Sequence, residues 1–106
     1  MDPSVPQAAA HCETPDRDTL VLSGALTFAS AARVYEQAVV ALERGAQTRL
    51  DLSGLTRSDS AGLACVLALL ARASRSGRQL RIANPPESLR ALAEVCDAGG
   101  LLGTTA

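Results

Sequence analysis

Hydrophobic residues along this chain switch between two spacings. Thr19-Leu-Val-Leu-Ser23 is a compact aliphatic run bounded by Gly24, the pattern of a strand. Ala9–Glu13 gives a weaker strand pattern before it, and Thr14-Pro-Asp-Arg-Asp18 between the two has turn composition. Together they predict a β-hairpin at the start of the domain. From Phe28 the spacing lengthens. Phe28, Ala31, Tyr35, Ala38, Val39 and Leu42 fall on one helical stripe, while Arg33, Glu36, Gln37, Glu43 and Arg44 lie mostly off it. Thr27 as N-cap and Gly45 as stop delimit this amphipathic helix.

Thr48-Arg-Leu-Asp-Leu52 predicts the next strand and Leu80-Arg-Ile-Ala83 the one after. Between them runs a helix that carries no charge from Ala61 to Ala71 and closes at Ser76-Gly77. Strand, helix, strand at this spacing implies a right-handed crossover and a parallel pair. Asn84-Pro-Pro-Glu87 opens a third helix, with proline early in the first turn where it is tolerated. Its inner stripe is Leu89, Leu92, Ala93 and Cys96, and Gly99-Gly100 ends it. The predicted order is ββαβαβα. That is an α/β domain with a mixed sheet of about four strands covered by helices. Residues 1–8, with two prolines, read as a flexible tail, and 9–106 as one domain without repeat or linker.

The central helix is the most informative element. Projected at 3.6 residues per turn, Leu63, Val66, Leu67 and Leu70 form a bulky face. Ala61, Ala64, Cys65, Ala68, Arg72 and Arg75 lie opposite. Bulky residues are expected on the sheet, which leaves a small-residue patch open to a partner backbone and edged by arginine. The polar turn Ser58-Asp59-Ser60 delivers a hydroxyl to the start of that helix. Either the Asp59-Ser60 pair only caps the helix, or Ser60 is a contact or phosphorylation site at the positive end of the dipole. The residues alone leave both open.

Composition narrows the chemistry. Hydrophobic residues make up 47% of 106, enough for a globular core, yet the aromatics are only Phe28 and Tyr35. Net charge is −1, with ten cationic residues, all of them scattered arginines, which argues against nucleic acid as a partner. Cys12, Cys65 and Cys96 are widely spaced and odd in number, so neither a disulfide framework nor a zinc site is expected. The first ten residues lack a basic region followed by an apolar run, so no signal peptide is expected. The longest uncharged apolar stretch falls short of the ~20 residues that span a bilayer. A soluble cytoplasmic protein without direct membrane insertion is the expectation.

Catalysis finds no support. Ser58-Asp-Ser60-Ala-Gly62 lacks the first glycine of a nucleophile elbow, and His11 is the only histidine available as a base. No phosphate-binding glycine loop is present, and without lysine the usual phosphate-gripping ammonium is missing. Asp51 and Asp59 do not make a convincing carboxylate pair. The reading is a non-enzyme without cofactor or metal.

Leu50-Asp-Leu-Ser-Gly-Leu-Thr-Arg-Ser-Asp-Ser-Ala-Gly-Leu63 resembles the signature of STAS domains, found in bacterial anti-anti-sigma factors and sulfate transporter tails. In that pattern a strand carrying Asp turns into Asp-Ser/Thr-x-Gly-Leu at the head of a helix. Ser58 departs from it, since a hydrophobic residue commonly precedes the Asp. Leu22-Ser-Gly-Ala-Leu-Thr-Phe28, Asn84-Pro-Pro-Glu-Ser-Leu-Arg-Ala-Leu-Ala-Glu-Val95 and Leu101-Leu102 resemble the MlaB-type branch more than the sporulation-type factors. The resemblance implies a small cytoplasmic subunit of a phospholipid-trafficking ABC transporter that maintains outer-membrane lipid asymmetry. Such a subunit binds the ATPase in complex with its permease and hydrolyses nothing itself. It places Ser60 at the family's functional Ser/Thr position, and together with the small-residue face of the helix projection the expected contact surface is Asp59, Ser60, Ala61, Ala64, Cys65, Ala68 and Arg72. The alternative it implies is an anti-anti-sigma regulator whose partner is an anti-sigma factor kinase that phosphorylates Ser60.

Overall fold

The computed structural model describes residues 10–96, so the tail, Ala9, the Gly99-Gly100 stop and Leu101-Leu102 lie outside the described residues. Strand β1 (His11–Glu13) pairs antiparallel with β2 (Thr19–Leu26), as the hairpin pattern predicts. The connecting turn is tied off by its own acids. The Asp16 carboxylate accepts from the Asp18 N–H at 2.9 Å, and the Asp18 carbonyl accepts from the Thr48 and Arg49 amides.

Burial along β2 alternates strictly, with Leu20, Leu22, Gly24 and Leu26 facing inward. The strand does not stop at Gly24. That glycine takes φ 87°, a value open to it without strain, and the strand continues to Leu26. Strand β3 (Arg49–Ser58) lies parallel to β2 and is likewise longer than its Thr48–Leu52 expectation. Two register shifts explain why. Val21 pairs with Asp51 but Ser23 with Gly54, and Gly24 pairs with Leu55 but Ala25 with Arg57. Each shift inserts an extra residue into β3, which breaks the period of two and hides the strand in a polar segment.

Helix α1 (Ala31–Arg44) follows β2, and α2 (Ser60–Arg75) follows β3. The core side of α1 is Val34, Ala38 and Leu42, with Ala31, Tyr35 and Val39 packed at its flank. The N-cap position is Ser30, not Thr27, and Phe28 precedes the helix at 86% exposure, so it is no part of the inner stripe. Strand β4 (Arg81–Ala83) pairs parallel with β3 at Arg49, Leu50 and Asp51. Asn84, at φ 55°, turns the chain away, and Pro85 and Pro86 carry no N–H to continue the ladder. Helix α3 (Glu87–Val95) buries Leu89 and Ala93, with Leu92 half-buried, whereas Cys96 is exposed and leaves the predicted stripe one residue short.

The sheet order is β1-β2-β3-β4, and one hydrophobic cluster joins the inward leucines of β2 and β3 to all three helices. The expected mixed four-stranded α/β architecture in the order ββαβαβα is thus the observed one. The consequence for the site is positional. The C-terminal ends of β2 and β3 lie side by side, Leu26 against Ser58, so the residues that follow each strand meet at one end of the sheet.

Candidate docking site at the start of the central helix

Asp59 is the hinge between β3 and α2. Its backbone is extended at φ −122°, ψ −168°, which makes it the N-cap, and Ser60 is already the first helical residue. The Asp59 carboxylate is shared between two elements. Oδ1 accepts the Gly62 N–H at 3.0 Å, satisfying one of the open donors of α2. Oδ2 accepts the Phe28 N–H at 3.0 Å, from the loop between β2 and α1. These amide donors, Phe28 foremost and then Gly62, hold the Asp59 carboxyl below the usual carboxylate range. A single side chain therefore fixes the geometry where two loops converge.

Gly62 lets α2 come this close. A Cβ at that position would overlap the Leu26 carbonyl oxygen and stand 3.2 Å from its carbonyl carbon. The helix thus starts directly against the last residue of β2. From this start the exposed line of α2 runs Ser60, Ala64, Ala68 and Ala71, with Ala61 half-buried at its edge. No charged side chain belongs to that line until Arg75.

One of the site residues read from sequence falls elsewhere, and another is held at the rim of the face. Cys65 is 5% exposed and packs in the core, where burial pushes its thiol pKa up to about 11. Arg72 is half-buried and donates to the Glu43 carboxylate at 2.6 Å, which ties it to α1. The buried side of α2 is Gly62, Leu63, Cys65, Val66, Leu69 and Ala73, while Leu67 and Leu70 lie at its flanks. Side-chain size misjudged the helix rotation because close packing selects small residues inward. Gly62 has no room for a side chain because the Leu26 carbonyl is so near, and Cys65 and Ala73 are buried on the same side. Asp59, Ser60, Ala61, Ala64 and Ala68 remain together at one end and along one line.

Sequence reasoning missed Phe28 as a neighbour of this site. Its signal was there in the pattern, since it is an aromatic placed beside a capping turn, but the helical stripe absorbed it. The Ser58 departure also has a structural counterpart, because its hydroxyl oxygen is enclosed without a hydrogen-bond partner among the described residues.

A second polar node lies lower on β3. Partial burial would raise the Asp51 carboxyl, but donation from the Ser53 amide at 2.9 Å and from the Asn84 side chain at 3.3 Å outweighs it and leaves the group lowered. This node holds the β4–α3 turn and has no contact with Asp59 among the described hydrogen bonds. Among the described residues no cluster of three or more His, Cys, Asp or Glu could hold a metal ion. No helix there is long and apolar enough to cross a membrane.

No curated protein matches the sequence at a significant level. Among solved structures, the anti-sigma factor antagonist SpoIIAA in its unphosphorylated form superposes with a TM-score of 0.67 at 22% identity, covering 86% of this chain and 83% of that one. The phosphorylated form of SpoIIAA, the Bacillus cell fate determinant, gives 0.63 at 22% identity, covering 86% of each chain. The murine anion transporter Slc26a9 in its inward-facing state gives 0.57 at 15% identity, over 92% of this chain but 19% of the transporter. At such identities these likenesses carry the fold and nothing more. The sequence itself carries the family: the model described as "Mlab, STAS domain" matches residues 10–103, and the chain therefore belongs to the MlaB-type STAS family.

Proposed function

We propose that this domain is a non-catalytic docking subunit that binds the ATPase of a phospholipid-trafficking ABC transporter through the outer face at the start of α2. The observation that carries the reading is the uncharged, small-residue line Ser60, Ala64, Ala68, held in place by the Asp59 clamp. Small side chains admit a partner backbone, and a line without charge carries little desolvation cost on burial. Membership of the MlaB-type family supports the choice of partner. On this reading the chain sits in the cytoplasm, peripheral to the inner membrane through the ATPase and permease, and maintains lipid asymmetry without turning over ATP.

Affinity purification from the native cells tests it. Recovery of an ABC ATPase with its permease is the expected result. Reproducible recovery of a partner-switching kinase in their place sinks the proposal.

One observation favours a second reading. Ser60 is exposed in the first turn of α2, where a phosphate meets the positive end of the helix dipole, and the similar SpoIIAA fold is known in phosphorylated form. As an anti-anti-sigma regulator the domain would hold its kinase until Ser60 carries about −2 charge on an uncharged surface. Stoichiometric phosphorylation of Ser60 in cells selects this reading, and its persistent absence selects the transporter.

A further inference from the structure

The arginines that are scattered along the sequence are gathered by the fold at one end of the domain. Strands β2, β3 and β4 run parallel, so their first residues share one end of the sheet, and α1 and α2 return the chain to it. Backbone contacts fix that end. The Asp18 carbonyl accepts from the Thr48 and Arg49 amides, and the Thr48 carbonyl accepts from the Arg81 amide at 2.9 Å. The helix ends are tied in by side chains. Arg78 donates to the Gly45 carbonyl at 2.8 Å, and Arg72 donates to Glu43. With Arg17, Arg44 and Arg75, which adjoin these contacts along the chain, seven of the ten arginines lie here. The acids tied into the same contacts are Asp16, Asp18 and Glu43. A chain of net charge −1 is therefore polarised, with this end basic.

Helix dipoles explain part of the pattern. Arg44 lies in the last turn of α1, and Arg72 and Arg75 in the last turn of α2, where a cation is favourable. They do not explain the strand starts. Arg49 and Arg81 are ladder partners on β3 and β4, both exposed, and like charges side by side cost stability. No ion pair joins either of them among the described residues. Asp51, two residues further along β3, feels the Arg49 charge but is already engaged by the Ser53 amide and the Asn84 side chain. The repulsion is relieved when an external anion lies over the pair.

The spread of the charge decides which anion. Arg17, Arg44, Arg49, Arg75 and Arg81 are all exposed, and they come from a turn, two helix ends and two strand starts. Such a spread matches a broad field of phosphates better than one small ligand or one peptide carboxylate. A nucleic acid strand fits less well. The two aromatics, Phe28 and Tyr35, belong to the β2–α1 loop and the start of α1, away from this end, so no base can stack there. An anionic bilayer asks only for basic side chains within reach of its headgroups.

We propose that this arginine-rich end is a contact surface for an anionic phospholipid bilayer, bound through the headgroup phosphates without insertion of the chain. It lies at the opposite end of the sheet from the head of α2, so it stays open while the docking site is filled. It does not depend on which protein fills that site.

Sedimentation of the purified full chain with vesicles tests the proposal, comparing phosphatidylcholine mixed with phosphatidylglycerol against phosphatidylcholine alone. At an ionic strength of about 0.02 M the anionic vesicles should bind about 100-fold more tightly, the scale for five exposed arginines offset by Asp16 and Asp18. The preference should vanish at about 0.5 M salt, where screening is short-ranged. Arg49→Gln combined with Arg81→Gln should weaken binding to the anionic vesicles by about 30-fold, with a Tm no lower than wild type. Arg33→Gln combined with Arg57→Gln removes the same charge from the other end of the sheet and should bind as wild type. Equal binding to the two kinds of vesicle, or the same loss in both double variants, overturns the proposal. Tighter binding to a single-stranded RNA oligonucleotide than to the anionic vesicles at the same salt also overturns it, in favour of nucleic acid.

Discussion

Gly62→Ala tests whether the start of α2 is seated against β2 as tightly as the site requires. In a helix facing solvent this substitution is favourable, by up to about 1 kcal/mol, because alanine has the better helix propensity and restricts the unfolded chain. Here the added methyl meets the Leu26 carbonyl, with the carbonyl carbon at 3.2 Å and the Leu26 Cγ at 3.4 Å. The obstacle is backbone, and it belongs to a strand residue paired with Ser58, so it cannot swing aside as a side-chain tip would. The first turn of α2 must move outward, at an overpacking cost of about 1–3 kcal/mol. That movement draws the Gly62 N–H away from Asp59 and forfeits a hydrogen bond worth about 0.5–1.5 kcal/mol. The net expectation is a loss of about 1–3 kcal/mol, or a Tm lower by roughly 5–20 °C for a domain of this size. Thermal unfolding measures the sum, and amide NMR shifts locate it, with the largest changes expected at Phe28 and in residues 59–63. A variant as stable as the parent, or more stable, would refute the close seating and with it the shared Asp59 clamp.

Ser58→Ala removes a hydroxyl that is enclosed without a partner, and should raise stability by about 1 kcal/mol in urea titration; a loss of that size would mean the hydroxyl is satisfied. Ser60→Ala should change stability by no more than about 0.5 kcal/mol, since Asp59 and not Ser60 is the cap, while Ala64→Arg should abolish partner binding at unchanged Tm. Asp59→Asn probes the clamp by pH. The Asp59 carboxyl is lowered in the folded protein, so the stability it contributes is present above its unfolded pKa of about 3.9 and disappears as pH falls through the lower folded value. Urea midpoints measured from pH 7 downward should therefore fall less steeply below about pH 4 in the variant than in the parent. Equal slopes would remove Asp59 as a linked group. Leu69→Ala should cost about 2–5 kcal/mol and Leu70→Ala distinctly less, because only Leu69 is fully enclosed; equal losses would restore the rotation of α2 that side-chain size suggests.

What the sequence reveals and conceals about this domain follows from how local each determinant is. The hairpin, the α1 stripe and the strand–helix–strand crossover are written in nearby residues, and the element order they predict is the one observed. The Asp59-Ser60 junction is equally local, since a cap and the donors it serves lie within four residues. The misplacements all depend on distant partners. Strand β3 looks finished at Leu52 because its two extra residues are accommodated only by β2, and β2 looks finished at Gly24 because a glycine at positive φ resembles a stop until its neighbour continues the ladder. Bulk alone turns Cys65 outward, yet it is buried, because the inward face of α2 is defined by how near Leu26 and α1 lie, a distance no single helix encodes. Phe28 is the sharpest case. Its spacing to Ala31 and Tyr35 fits a helical stripe, yet α1 begins only after the Ser30 cap, and the Asp59 carboxylate, 31 residues away, takes the Phe28 N–H. The chain therefore states its fold through local patterns, whereas the loop that carries Phe28 is tied to the head of α2 by a hydrogen bond between residues 31 apart.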